Sequence, residues 1–156
     1  MYEVTVIPLT QGQISMIDTE DWSIVRHYSW CADKTTSGKF YAKTTVKRSS
    51  IRLHSLIMNC PKGFEVDHIN GNTLDNRKAN LRVCSHSENC KNQPVRKNNS
   101  SGFTGVTFNK EKQKWTAQIT INKKVTNLGR FNNKEDAILA YKTASELHFG
   151  EFRRKV

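Results

Sequence analysis

With 156 residues the chain has room for one ordinary domain or two small ones, and too little for a large core around a deep pocket. Its 25 Lys and Arg against 14 Asp and Glu leave a net charge of +11, which favours a polyanionic partner and makes nucleic acid the default. No apolar run approaches the roughly 18 to 20 residues that cross a bilayer, and MYEVTVIPLT lacks a basic stretch leading into a long apolar one. The composition therefore predicts a soluble, cytoplasmic protein with no membrane partner.

The charge is uneven. Residues 1 to 91 carry 12 basic and 9 acidic side chains, whereas residues 92 to 156 carry 13 and 5, so the C-terminal part is expected to supply most of the electrostatic attraction. Cys31, Cys60, Cys84 and Cys90 form no CxxC pair. Neither a disulfide framework nor a structural zinc site is signalled, and reduced, mostly buried thiols are expected; a zinc site from Cys60, Cys84, His86 and Cys90 is the alternative.

Residues 2 to 9 and 13 to 17 alternate apolar and polar, predicting a hairpin around Gln11-Gly12. Asp18 to Asp21 supply a cap and first-turn acids for a short helix to about Tyr28. Phe40 to Val46 reads as a strand, with Trp22, Trp30 and Phe40 as core candidates, and residues 53 to 58 as a short helix ended by Pro61 and Gly63. Glu65 to Asn92 is crowded with Asn, Gly and Asp in its middle, which suits a tight loop. Ser85 and Glu88 have capping-box spacing, so a helix should begin at His86; the order is strand, loop, strand, helix. Residues 92 to 101 read as a basic linker. Phe103 to Phe108, Trp115 to Ile121 and Val125 to Phe131 follow as three strands. Asn133 should cap a helix to about Phe149, with Ala137, Ala140, Tyr141, Ala144, Leu147 and His148 on the sheet.

Hydrolysing a phosphodiester requires an activated water, a charge sink for the phosphate and relief for the leaving oxygen. His68 titrates near neutrality and suits a base, and Asp67 offers a hard carboxylate oxygen to Mg2+ or Mn2+. Adjacent strand residues face opposite ways, so one shared site would need a bend after His68. Asn89 can present a carbonyl oxygen to a hard cation, and Asn80 can hydrogen-bond backbone or imidazole to orient the base.

Asp67-His68-Ile69-Asn70-Gly71-Asn72, Asp75-Asn76, Asn80-Leu81-Arg82 and Glu88-Asn89 together resemble the HNH nucleases of phages and mobile introns, in their homing-endonuclease branch. The resemblance implies an α+β chain of phage or bacterial-host context, in which a ββα-metal nuclease motif follows a β-rich N-terminal region. It implies that His68 is the general base, Asp67 and Asn89 hold the metal, Asn80 orients the machinery, and products carry 5′-phosphate and 3′-hydroxyl ends. The substrate is then double-stranded DNA, cut by metal-assisted hydrolysis. One site per chain predicts a nick by a monomer. The competing reading is a non-catalytic, sequence-specific DNA-binding regulator built on the same scaffold.

Along the second C-terminal strand Trp115, Ala117, Ile119 and Ile121 point one way and Thr116, Gln118 and Thr120 the other. With Arg82, the linker's Arg96 and Lys97, and Lys110, Lys112, Lys114, Lys123, Lys124 and Arg130, Thr116 and Gln118 form the expected DNA-binding set. Gly102 to Val106, Trp115, Leu128-Gly129-Arg130-Phe131, Ala137 and Tyr141 resemble the Apetala-type (ethylene-response-factor) DNA-binding domain. That implies a three-stranded antiparallel sheet packed on one helix over residues 102 to 156, with the nuclease part in residues 1 to 91.

Overall fold

The computed structural model describes residues 3–95 and 99–153 of the chain. It divides into two compact units, Met1–Asn92 and Gln93–Val156. The linker residues Arg96 and Lys97, expected to contact phosphate, lie outside the described residues.

In the first unit β1 (Val4–Pro8) and β2 (Ile14–Asp18) pair antiparallel, and a single 3-10 turn leads into α1 (Trp22–Val25). The helix expected to reach Tyr28 is thus only one turn long. Trp22, a core candidate, is 43% exposed, and in so short a helix Val25 alone is buried. A second sheet, with the order β3 (Cys31–Lys34), β4 (Phe40–Val46), β5 (Ser49–Arg52), adds two strands to the one expected. The polar sequence of β5 hid it from periodicity; its register is set by the two-residue turn Lys47-Arg48, whose φ values of 48° and 68° match the inverted turns that suit hairpin twist. α2 (Leu53–Ile57) follows directly. β6 (Glu65–His68) and β7 (Leu81–Cys84) pair antiparallel across the Asn-rich loop, and α3 (His86–Asn89) begins where predicted. Ser85 accepts from the Glu88 amide at 3.3 Å while Glu88 accepts from the Ser85 amide at 2.8 Å, a complete capping box.

The core of this unit draws on nearly every element: Ile7, Ile17, Val25, Ala42, Leu53, Ile57, Val66 and Leu81 are buried together. Small sheets that could not stand alone are joined by that shared apolar cluster.

In the second unit β8 (Val106–Asn109), β9 (Lys114–Ile121) and β10 (Lys124–Phe131) form an antiparallel sheet with β9 central, and α4 (Lys134–Phe149) packs on one face. Val106, Ala117 and Ala137 are the buried centre, flanked by Trp115, Leu128, Phe131 and Tyr141. A bulge between Asn127 and Gly129 leaves Leu128 unpaired and turns it into this core. Gly105 has no room for a side chain: an added Cβ would sit 2.4 Å from the Gln118 carbonyl oxygen, and its φ is +73°. Leu147, expected on the sheet, is 79% exposed, and His148 is exposed as well. In the C-terminal half of the helix the buried residue is Ser145 instead.

Candidate active site

β6 ends in Asp67 and His68, both buried, and its alternation sends their side chains to opposite sides. Asp67 faces β7 and the segment after α3. Arg82, its cross-strand partner, donates from Nε at 2.9 Å and Nη2 at 2.6 Å to Asp67 Oδ2. Asn92 Nδ2 lies 3.0 Å from Asp67 Oδ1, 3.1 Å from Oδ2, 3.0 Å from the His68 carbonyl and 3.4 Å from the Ile69 carbonyl. Four oxygens therefore lie around an amide nitrogen with two hydrogens, and Arg82 and the Gly71 amide also donate to two of them. Hard oxygen donors gathered around one carboxylate fit Mg2+ or Mn2+. Among the described residues no three His, Cys, Asp or Glu side chains are placed to hold a metal, so amide and carbonyl oxygens would have to complete such a site.

His68 points the other way, 4% exposed. Its Nε2 meets Asn76 Oδ1 at 3.2 Å. His54 packs edge-on against it with ring centroids 5.0 Å apart, and Tyr41 touches both rings at 5.7 and 6.1 Å. Burial lowers the His68 pKa below the usual imidazole value, with Lys39 pushing the same way against the Asn76 hydrogen bond and the charges of Asp67 and Asp75. The imidazole is therefore neutral at neutral pH and can accept a proton. The Asp67 charge still reaches the ring although the two side chains diverge.

The other predicted residues separate by role. Asn80 does not touch the imidazole; it ties the ends of the loop together, its Oδ1 accepting from the Asn70 amide at 3.0 Å and its Nδ2 donating to the Asp75 carbonyl at 2.8 Å. Asn89 donates its amide to Glu65, whose other oxygen meets His86 Nδ1 at 2.8 Å. The hydrogen bonds thus bring Asn92, not Asn89, onto Asp67. Sequence reasoning missed Asn92 and Asn76; the signal was available in Asn92, which follows Asn89 by three residues and so continues the same helical face. Cys84 is buried, its thiol pushed up to about 11 by burial and by nearby Asp67, while Cys90 is exposed beside His86 Nε2 at 3.6 Å.

His54 has its pKa lowered to about 3 by burial, then by His68 and Arg52. The unfolded chain binds a proton at 6.5 that the fold excludes, so stability is complete above that pH and falls as pH drops through the window from 6.5 to about 3. Urea melts of the wild type should lose about 1.4 kcal/mol per pH unit from this group between about pH 6 and 4. His54→Phe should flatten that limb, and parallel acid limbs for the two proteins would contradict the assignment.

In the second unit Lys110 and Lys112 occupy the β8–β9 turn and Lys114 opens β9, whereas Lys123 and Lys124 lie at the β9–β10 turn. All five are exposed, as are Gln118 and Arg130. None of the five lysines, nor Arg130, forms an ion pair among the described residues. Thr116 departs from expectation: it is buried, flanked in register by Thr107 and Arg130, so its hydroxyl is covered by its neighbours rather than offered to solvent.

The sequence pattern of the family described as HNH endonuclease matches residues 59–91, the segment that holds Asp67, His68, Asn80 and Arg82. Protein 3.8 of Escherichia phage T7 is 37% identical over 94 residues, which cover 60% of this chain and 77% of that protein. Residues 59–91 thus carry an HNH endonuclease family segment. A further relative, the uncharacterized HNH endonuclease L560 of Acanthamoeba polyphaga mimivirus, is 25% identical over 154 residues, or 95% of this chain and 77% of its own length. No solved structure matches. The HNH domain marks a nuclease acting on DNA, and nucleases of this family generally use a divalent metal ion. The match stops at residue 91 and gives no support to an Apetala-type domain beyond it. No helix among the described residues is long and apolar enough to cross a membrane.

Proposed function

We propose that the protein is a metal-dependent HNH endonuclease that nicks double-stranded DNA, with homing-type site choice. The observation that carries this reading is the neutral, buried imidazole of His68, held by Asn76 and directly following the buried Asp67 carboxylate, whose side chain leaves the strand on the other side among oxygen donors. His68 takes the proton of the attacking water, whose oxygen then bonds phosphorus as the bond to the 3′-oxygen breaks. Asp67 would hold the metal with an amide oxygen from the helical segment, Asn89 or Asn92. When bound, the ion offsets charge on the phosphate and the leaving oxygen. Asn80 keeps the loop closed beneath both groups.

The second unit is read as a duplex-binding module of Apetala type. Its lysines sit at both ends of a central strand that spans about 23 Å at ~3.3 Å per residue, enough to reach phosphates on both rims of a major groove about 12 Å wide. Gln118 and Arg130, on the exposed face between them, suit base-edge contacts.

The first unit adds a DNA surface of its own. Six of the seven charged side chains between Cys31 and Arg52 are Lys or Arg. The Arg52 guanidinium lies over Tyr41, 4.3 Å from the ring centroid, and Tyr41 packs edge-on against His68. Lys47 and Arg48 form the exposed tip of the same hairpin. Replacing both by Ala should reduce the slope of log K against log salt by about 2, close to 0.9 per phosphate contact. An unchanged slope in filter-binding titrations would remove this hairpin from the interface.

Plasmid nicking in Mg2+, in Mn2+ and with chelator tests the central reading. Conversion of supercoiled to open-circular DNA only with metal is the expected result. Supercoiled DNA left intact in both metals and on every candidate target would favour the non-catalytic DNA-binding regulator.

A further inference from the structure

The N-terminal hairpin reaches into the site through a directed chain of hydrogen bonds. Met16 of β2 bridges to Asp75, its amide donating to the Leu74 carbonyl at 2.9 Å, and the Asn76 amide returns a bond to the Met16 carbonyl at 2.7 Å. Beside it, Ser15 Oγ donates to the Leu74 carbonyl at 3.0 Å. A hydroxyl has one hydrogen, so once that hydrogen is placed on Leu74 the Ser15 oxygen serves as an acceptor. Asn76 Nδ2 donates to it at 2.7 Å. That orients the amide, which leaves Asn76 Oδ1 facing His68 Nε2 at 3.2 Å as an acceptor. Asn76 is 0% exposed and Ser15 equally so, so water cannot take the place of either partner.

We infer that Ser15 and Asn76 act as positioning residues that fix the proton of His68 on Nε2 and leave Nδ1 as the basic nitrogen. Turning the Asn76 amide over would direct Ser15 Oγ–H to Asn76, withdraw it from Leu74 and leave the network one hydrogen bond poorer. Among the described residues nothing bonds Nδ1, so this is the nitrogen left to accept from a water. The inference rests on the reading of His68 as base, but it states a property of the resting protein that is measurable without cleavage.

The experiment pairs two readouts on the full chain. Long-range 1H–15N spectra of 15N-histidine-labelled protein, with His68 assigned through His68→Gln, report the tautomer directly. The expected wild-type result is the Nε2–H form. Asn76→Asp keeps an oxygen acceptor toward the ring and should retain that form. Ser15→Ala, the mild variant that tests the relay even if larger changes impair folding, should yield a tautomer mixture. In nicking assays Ser15→Ala should lower kcat about 5-fold, as expected for one lost hydrogen bond, with KM unchanged. Asn76→Leu should lower kcat by about 10²-fold. A wild-type Nδ1–H tautomer, or Ser15→Ala with the wild-type tautomer and rate, would overturn the assignment. Full nicking by His68→Gln with the tautomer as expected would instead overturn the base reading and leave the relay standing.

Discussion

His68→Ala is expected to slow nicking by about 10² to 10⁴-fold while leaving duplex affinity within 2-fold. The imidazole is buried, neutral and held by Asn76, so its removal takes away a proton acceptor without touching the exposed lysines proposed to contact DNA. Single-turnover nicking and a gel-shift titration on the same DNA separate the two effects. Asp67 should fail differently. Removing its side chain outright would take a carboxylate from Arg82, only 10% exposed, and should destabilise the fold. Asp67→Asn keeps one oxygen for Arg82 but drops the charge and turns an NH2 toward Asn92, so it should lower the melting temperature less than Asp67→Ala and raise the Mg2+ concentration for half-maximal nicking by about 10-fold or more. A wild-type Mg2+ curve for Asp67→Asn would remove Asp67 from the metal site.

Removal of residues 93 to 156 is expected to abolish tight, salt-sensitive binding and to leave slow, unselective cleavage. Each unit has its own buried core, so the first should fold without the second. The lost segment carries 13 of the chain's 25 basic residues against 5 acidic ones. If five or six of these meet phosphates, affinity should fall by about 10² to 10³-fold at physiological salt, and the salt slope should lose about 5. Equal affinity and slope for the truncated and full chains in gel-shift titrations would assign binding to the first unit alone. In that case the β4–β5 hairpin becomes the principal DNA surface.

Much of the architecture could be read directly. Ser85 and Glu88 announced α3 because a capping box is local chemistry confined to four residues. The alternating β9 segment, with Trp115 and Ala117 on one side, likewise announced its own burial. β5 and β3 stayed hidden, since a strand whose outward face is polar and whose inward face is short has no periodicity to detect. The amides were the harder case. Asn76, Asn80, Asn89 and Asn92 are chemically alike, and it was the resemblance to HNH nucleases that implied Asn80 as the orienting residue and Asn89 as a metal ligand. The structure gives the imidazole to Asn76, the loop to Asn80, Glu65 to Asn89 and Asp67 to Asn92.

The sequence by itself determined the chemical inventory: an Asp-His pair at a strand end, an Asn-rich loop, a capped helix and a basic C-terminal sheet. These are local, and short-range capping, turn and alternation rules suffice to write them down. Only the tertiary structure decided which partner each polar group meets. Ser15 lies 61 residues before Asn76, and the two meet because Ile7 and Ile17 bury the N-terminal hairpin in the same core as Leu81 of β7. A buried polar group must find a partner wherever the apolar packing puts one, so the identity of that partner follows from the whole core rather than from the residues beside it.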